Sequence, residues 1–316
     1  MEISVIIPAY NAENSISATL QSVLNQTYLP TEIIVVNDGS SDCTADRVLA
    51  FGDRIKLINQ ENSGVSIARN RGVENCNSDW VAYLDADDIW LPEKLEMQVK
   101  LLSKHKHIKW SATRYYECLR DRKSLSNYNV PVSKDKGKSG EIVGALEAIS
   151  STSNIWVSTV VISKSLVKAA GGFHGNLSST ADNDLWFRVA KIENEIAFVN
   201  YPMAQYMVNP VGMSRAETRQ ISQSRFEFFD RLASHVEHST GKERYMFKRI
   251  FARYAGQYMF NLARTGNRDA SREFLQRLHE KGMPIPGLKY RWIHFVPSSL
   301  FDWLRSLKHK MGGTND

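Results

Sequence analysis

Four short, largely apolar runs, Ile3 to Pro8, Glu32 to Asn37, Ile55 to Asn59 and Trp80 to Leu84, recur through the first 110 residues. Stretches with helical periodicity separate them, at Ser15 to Gln26, Thr44 to Phe51 and Val65 to Asn75. Short runs rich in Val and Ile suit strands buried on both faces. A strand–helix–strand succession closes into a parallel sheet covered by helices. The pattern therefore predicts an α/β fold with a mostly parallel sheet flanked by helices. On such sheets ligands bind beyond the C-terminal ends of the strands, and the polar motifs of this chain follow its strands at that edge.

With 316 residues, 42% of them apolar, and no low-complexity block, the chain is long enough for one large domain or two joined ones. No apolar run approaches the roughly 18 residues that span a bilayer. Met1-Glu2-Ile3-Ser4 enters a strand without the basic region and apolar core of a signal peptide, which predicts a cytoplasmic protein. Cys43, Cys76 and Cys118 are odd in number and lack metal-ligand spacing, so they are expected to be reduced and structural. The net charge of +6 is unevenly spread. Between Lys242 and Lys310 fifteen Lys and Arg face five Asp and Glu, a surplus of ten, which leaves the remainder slightly acidic. The same tail carries Trp292, Phe295, Leu300, Phe301, Trp303, Leu304 and Leu307. An amphipathic helix lying on the anionic cytoplasmic face of a membrane would have this composition, and so would a helical subdomain that packs its aromatic residues inward. Nucleic acid is not the expected partner.

Each strand end carries a polar motif. After the first come Pro8-Ala9-Tyr10-Asn11 and Glu13, a loop that could hold a planar base against Tyr10 and Pro8, or form an ordinary turn with a helix cap. After the second, Asn37-Asp38-Gly39-Ser40-Ser41-Asp42 offers Asp38 as an acceptor for a base or ribose, although such a run is also a good helix entry. The third is a Gly-containing loop, from Asn62 to Gly64, leading into a helix that carries Arg69, whose guanidinium could reach base or phosphate oxygens. The fourth, Asp85-Ala86-Asp87-Asp88, lies between a strand and the helical pattern of Leu95, Val99 and Leu102 opened by Pro92-Glu93. Asp-x-Asp on a loop can aim two short carboxylates at one oxygen-preferring ion, Mg²⁺ or Mn²⁺, with positions left for phosphate. An acidic turn that caps the next helix would use the same residues.

In this order, Val5-Ile6-Ile7-Pro8-Ala9-Tyr10-Asn11, Val35-Val36-Asn37-Asp38-Gly39-Ser40-Ser41-Asp42, Gly64 to Gly72 and Asp85-Ala86-Asp87-Asp88 resemble the motifs of the family 2 glycosyltransferases of bacterial surface-polysaccharide type. The resemblance implies the GT-A fold, Rossmann-like, and the residues beyond it are expected to form a C-terminal helical extension. It also implies a nucleotide-sugar donor, usually a UDP-sugar, a Mn²⁺ or Mg²⁺ cofactor, and transfer with inversion to an acceptor hydroxyl. By this likeness Asp38 and Arg69 contact the nucleotide, within a site that includes Pro8, Ala9, Tyr10, Asn11 and Glu13. Asp85 serves the ribose and metal region, and Asp87 binds the metal directly.

Farther along, residues 119 to 140 read as an exposed polar loop and Trp156 to Ser163 as a strand. Gly171-Gly172-Phe173 followed by Asp182-Asn183-Asp184-Leu185-Trp186-Phe187-Arg188 resembles the acceptor-side segment of the family. The usual Glu-Asp pair aligns with Ala181-Asp182, so Asp182 inherits the role of catalytic base. Asp184 is its rival, and on a helix it would point about 200° away. Tyr206 to Arg215 resembles a loop that closes over the donor diphosphate, with Ser214 or Arg215 as contacts. The likeness divides the chain into a GT-A domain at 1–215, with nucleotide-sugar binding in 1–110 and acceptor recognition in 111–215, and a helical extension at 216–316. The implied acceptor is a lipid-linked or polysaccharide intermediate. A sugar nucleotidyltransferase is a rival reading, but its Gly-rich, basic N-terminal loop has no counterpart in Pro8-Ala9-Tyr10-Asn11. A noncatalytic sugar-nucleotide-binding protein is another, since Ala181 stands where Glu is usual.

Overall fold

Every residue of β1 (Ile3–Ala9) is buried, as a central strand covered on both faces requires. The computed structural model describes residues 1–119, 140–150, 155–177, 180–208, 219–264, 268–280 and 282–283. The chain divides into two compact units, Met1–Ala216 and Glu217–Asp316. In the first unit β2 (Glu32–Asp38), β3 (Lys56–Gln60) and β4 (Trp80–Tyr83) join β1 in the parallel order β3-β2-β1-β4. Val5 lies opposite both Ile33 and Ala82. The connections carry α1 (Ile16–Leu24), α2 (Thr44–Leu49) and α3 (Val65–Glu74), so the expected strand–helix alternation is present. Helix α3 packs tightly on β1: a Cβ on Gly72 would stand 2.3 Å from Ile6 Cγ2. Only glycine permits this approach, which holds the helix of Arg69 against the sheet.

Beyond β4 the sheet becomes mixed. The acidic loop runs into β5 (Ile89–Trp90) before α4 (Lys94–Lys104) begins, and so does not lead directly into a helix as the sequence pattern predicts. The cause is β9 (Glu195–Val208), which pairs Gln205 with Ile89 and Ala204 with Trp90. The remaining elements are β6 (Trp110–Leu119), β7 (Gly140–Gly144), α5 (Ala145–Ser150), β8 (Val161–Ser163), α6 (Lys164–Ala169) and α7 (Ala181–Ile192). The sheet order is β3-β2-β1-β4-β8-β6-β9-β5, with β7 also on β9. Strand β8 is antiparallel to β4 and β6, whereas β6 and β9 run parallel. The strand expected from Trp156 is shorter than predicted. Val157–Thr159 forms a single 3-10 turn and extended pairing starts at Val161.

The second unit contains α8 (Arg219–Glu237), α9 (Gly241–Arg264) and α10 (Arg268–Glu280). Phe229 lies at its centre, with ring centroids 4.6 Å from Phe274 and 5.6 Å from Phe251. Arg277 lays its guanidinium over Phe226 at 4.5 Å, an arrangement that covers apolar surface while leaving charge at the rim. Among the described residues no helix is long and apolar enough to cross a membrane. The aromatic residues from Trp292 to Leu307 and the polar stretch between β6 and β7 lie outside the described residues.

Candidate active site

Asp38 closes β2, and its buried carboxylate accepts hydrogen bonds from Gln60 Nε2 (2.7 Å), Ser63 N (2.8 Å) and Gly64 N (2.8 Å). Gly64 caps α3, so Asp38 fixes the entrance of the helix that bears Arg69. The preceding strand's loop is stitched to this region. Asn11 adopts φ 48°, a left-handed conformation that Asn tolerates. It donates through its backbone N to Ser40 Oγ at 3.0 Å and accepts from Ser41 N at 2.9 Å. Glu13 accepts from Cys43 N at 3.1 Å. Pro8 and Ala9 belong to β1 and are buried, whereas Tyr10 is 55% exposed and is the member of this group able to meet a base. Asn11 and Glu13 act as loop fasteners.

The acidic loop is built around its third carboxylate. Asp88 is buried and accepts from Ser158 Oγ (2.5 Å), Trp156 Nε1 (2.7 Å) and Met207 N (3.1 Å). Burial first, and then the charges of Asp85 and Asp87, push its carboxyl well above the usual carboxylate range. The loop backbone is also held. Thr19 Oγ1 donates to the carbonyls of Ala86 and Asp88 at 3.0 and 2.9 Å, and Asp85 N donates to Ser158 Oγ at 3.1 Å. Asp88 is thus the anchor, and Asp85 and Asp87 are the half-buried carboxylates that it presents. Neither caps α4, whose N-cap Glu93 makes no side-chain cap bond.

Arg69 meets this loop from α3. Its Nη2 lies 2.6 Å from Asp85 Oδ1, and its side chain is 7% exposed, unlike a solvated surface arginine. The guanidinium also lies 5.1 Å above the ring of Phe173. Asp85 and Asp87 form a hard, all-oxygen donor pair that fits Mg²⁺ or Mn²⁺. Among the described residues no group of three or more His, Cys, Asp or Glu converges. An ion held by this pair would therefore complete its shell with phosphate and water oxygens.

Asp182 enters from the opposite half of the sheet, in the first turn of α7. It does not cap that helix, but accepts from Asn183 N at 2.9 Å. Burial pushes its carboxyl up to about 6, the Arg69 guanidinium pulls it down, and Asp85 raises it. Arg69 and Asp182, far apart in the chain, thus share one electrostatic neighbourhood. Asp184 is committed elsewhere: Arg188 donates to it from Nε (2.9 Å) and Nη2 (2.7 Å). Ser214 and Arg215 lie outside the described residues. Thr19, Trp156 and Ser158, which hold the acidic loop, carry no local sequence signal, because their partners are 67 to 70 residues away.

Residues 4–151 match the family model described as Glycosyl transferase family 2. An uncharacterized glycosyltransferase of Rickettsia typhi is 35% identical over 192 residues, covering 61% of this chain and 59% of that protein. The UDP-Glc:alpha-D-GlcNAc-diphosphoundecaprenol beta-1,3-glucosyltransferase WfgD of Escherichia coli is 47% identical over 105 residues, 33% of this chain and 42% of that protein. The chain spans less than two thirds of the length of these curated relatives. Among solved structures, S. aureus TarS 1-349 in complex with UDP-GlcNAc superposes with a TM-score of 0.70 at 20% identity, covering 89% of this chain and 81% of that one. This likeness shows the fold, a GT-A sheet with flanking helices.

Proposed function

We propose, from the match of residues 4–151 to the Glycosyl transferase family 2 model, that this chain is a family 2 glycosyltransferase that moves a sugar from a UDP-sugar to an acceptor hydroxyl with inversion at the anomeric carbon. The observation that carries the reading is the Arg69–Asp85 ion pair, with Asp182 on α7 close enough to feel both charges. Inverting transfer needs a carboxylate that takes the acceptor proton as the hydroxyl oxygen attacks the sugar and the bond to the diphosphate breaks on the far side. Asp182 is buried and its carboxyl is pushed up to about 6, so it is ionised and still basic near neutral pH. Arg69 supplies positive charge beside it, and Asp38 sets the helix from which Arg69 projects. Tyr10 offers an exposed ring to the nucleotide base. Asp85 and Asp87 would hold the metal ion, which supplies charge neutralisation for the departing diphosphate.

The donor assignment draws support from the UDP-sugars named for WfgD and TarS. The acceptor assignment, a lipid-linked or polysaccharide intermediate, draws on the diphosphoundecaprenol acceptor named for WfgD. The basic, aromatic C-terminal composition supports contact with the anionic face of a membrane.

A screen for UDP release across UDP-sugars, with Mn²⁺ or Mg²⁺, tests the reading without a known acceptor, since water can take the acceptor's place. Metal-dependent release from one donor is expected, lost in Asp87→Ala and in Asp182→Asn. No release from any UDP-sugar together with no UDP binding in calorimetry would favour a noncatalytic protein or another nucleotide.

A further inference from the structure

Helix α3 is fastened to the segment after α6 at two points one turn apart. Asn70, the neighbour of Arg69, donates from Nδ2 to the Phe173 carbonyl at 2.8 Å and accepts from Phe173 N at 2.9 Å, copying a strand's paired hydrogen bonds with one side chain. Ser66 Oγ donates to the Leu177 carbonyl at 2.9 Å. The same turn is gripped from its other side by α7. Arg188 donates from Nη2 to the Gly172 carbonyl at 2.8 Å and from Nη1 to the Ala170 carbonyl, while Asp184 takes two of its hydrogen bonds.

Two features separate this arrangement from ordinary packing. Gly172 sits at φ +65°, and a Cβ there would stand 2.8 Å from Asn70 Oδ1, so the turn is shaped for the close approach of Asn70. The Asp184 side chain is 2% exposed and that of Arg188 16%, and buried pairs of this kind add little stability over apolar residues of equal volume. What the pair does provide is a rigid bidentate geometry. Phe173 stands between the two grips, beneath the Arg69 guanidinium and edge-on to Tyr83 at 5.2 Å. Asp182 lies on the same helix, two residues before Asp184 and about 1.7 turns before Arg188.

We propose that Asn70 and the Asp184–Arg188 pair are positioning residues, which through the Gly171–Phe173 turn lock the helix of Arg69 to the helix of Asp182. The proposal rests on Asp182 being the base of the transferase reading. The nucleotide side then keeps its own seat on β1 and β2, and the clasp sets where the base stands relative to it. Misplacing a base by about 1 Å costs on the order of 10²-fold in rate without weakening the binding of the nucleotide itself.

The test compares wild type with Asn70→Ala and with Arg188→Lys, which keeps the charge but loses the fork. UDP binding with Mg²⁺ is followed by calorimetry, UDP-sugar hydrolysis by steady-state kinetics, and amide exchange across residues 170–177 by mass spectrometry. Both variants are expected to bind UDP within about threefold of wild type, to lose at least tenfold in kcat with donor KM nearly unchanged, and to exchange faster in that segment. The positioning proposal alone is overturned if wild type turns over and Asn70→Ala matches its kcat, or if UDP affinity falls in step with kcat. A wild type inert toward every UDP-sugar would overturn the function proposed above and this proposal with it.

Discussion

On the proposed function, catalysis and stability pull in opposite directions at Asp182. Its carboxyl, at about 6 in the folded protein, binds its proton more tightly than the roughly 3.9 of an unfolded chain. A folded-state value raised in this way means that stability falls as pH rises from about 4 to 6 and stays reduced above that window. Asp182→Asn removes the titration, so it is expected to melt at a higher temperature than wild type at pH 8, by up to about 3 kcal/mol of stability. Near pH 4 the two should melt alike in calorimetry. Turnover of the variant should fall at least 10²-fold. In wild type the base works only when ionised, so kcat/KM for donor consumption should lose tenfold per pH unit below about 6 and level off above it. A rate independent of pH between 5 and 7 would remove Asp182 from the reaction.

The acidic loop shows what one element needs from its neighbours. Asp88→Ala leaves Trp156 Nε1, Ser158 Oγ and Met207 N without the carboxylate they share, Ser158 buried and the other two residues half-buried. Unfolding in urea should show a loss of about 2 to 4 kcal/mol, since each stranded buried donor costs about 1 to 3 kcal/mol before relaxation. Thr19→Val, which removes two hydroxyl bonds to the loop carbonyls, should cost about 1 kcal/mol. The runs that became β1, β2 and β4 could be read from sequence because burial on both faces leaves a nearly unbroken apolar signature. By contrast β3, expected to be buried, is the sheet's edge strand and has no fully buried residue. The motifs that follow the strands could be read because each sits at a strand end. The segment from Trp156 to Ser163 could not. Its Val and Thr content suits a strand, but the hydrogen bonds of Trp156 and Ser158 to Asp88, 68 and 70 residues earlier, turn its first half into a 3-10 turn. Asn70 was hidden for the same reason, with its partner 103 residues away. Local pattern reports what a residue is buried in, and long-range hydrogen bonding decides where it points.

Across the whole molecule, chemistry and charge are segregated. Asp38, Arg69, Asp85, Asp87 and Asp182 all belong to the unit Met1–Ala216, whereas the surplus of cations lies after Lys242. Attachment to an anionic surface should therefore respond to salt while donor chemistry does not. Cosedimentation with vesicles containing anionic lipid is expected at about 0.05 M salt and should be lost near 0.5 M, where screening shortens to a few ångströms. Uncharged vesicles should leave the protein in the supernatant, and equal binding to both would assign the attraction to apolar contact. The ion pair of Arg69 with Asp85 bears on the order in which ligands arrive. A guanidinium 2.6 Å from Asp85 Oδ1 competes with any cation for that carboxylate, and it is also the charge a diphosphate would draw away. Nucleotide and metal must then strengthen each other's binding by one common factor, as linkage demands. In calorimetry Mn²⁺ alone and UDP alone should each bind weakly and the two together tightly. On the proposed function such a protein would take up the metal–nucleotide complex as a single ligand, and between turnovers Arg69 would close back over the Asp85 carboxylate.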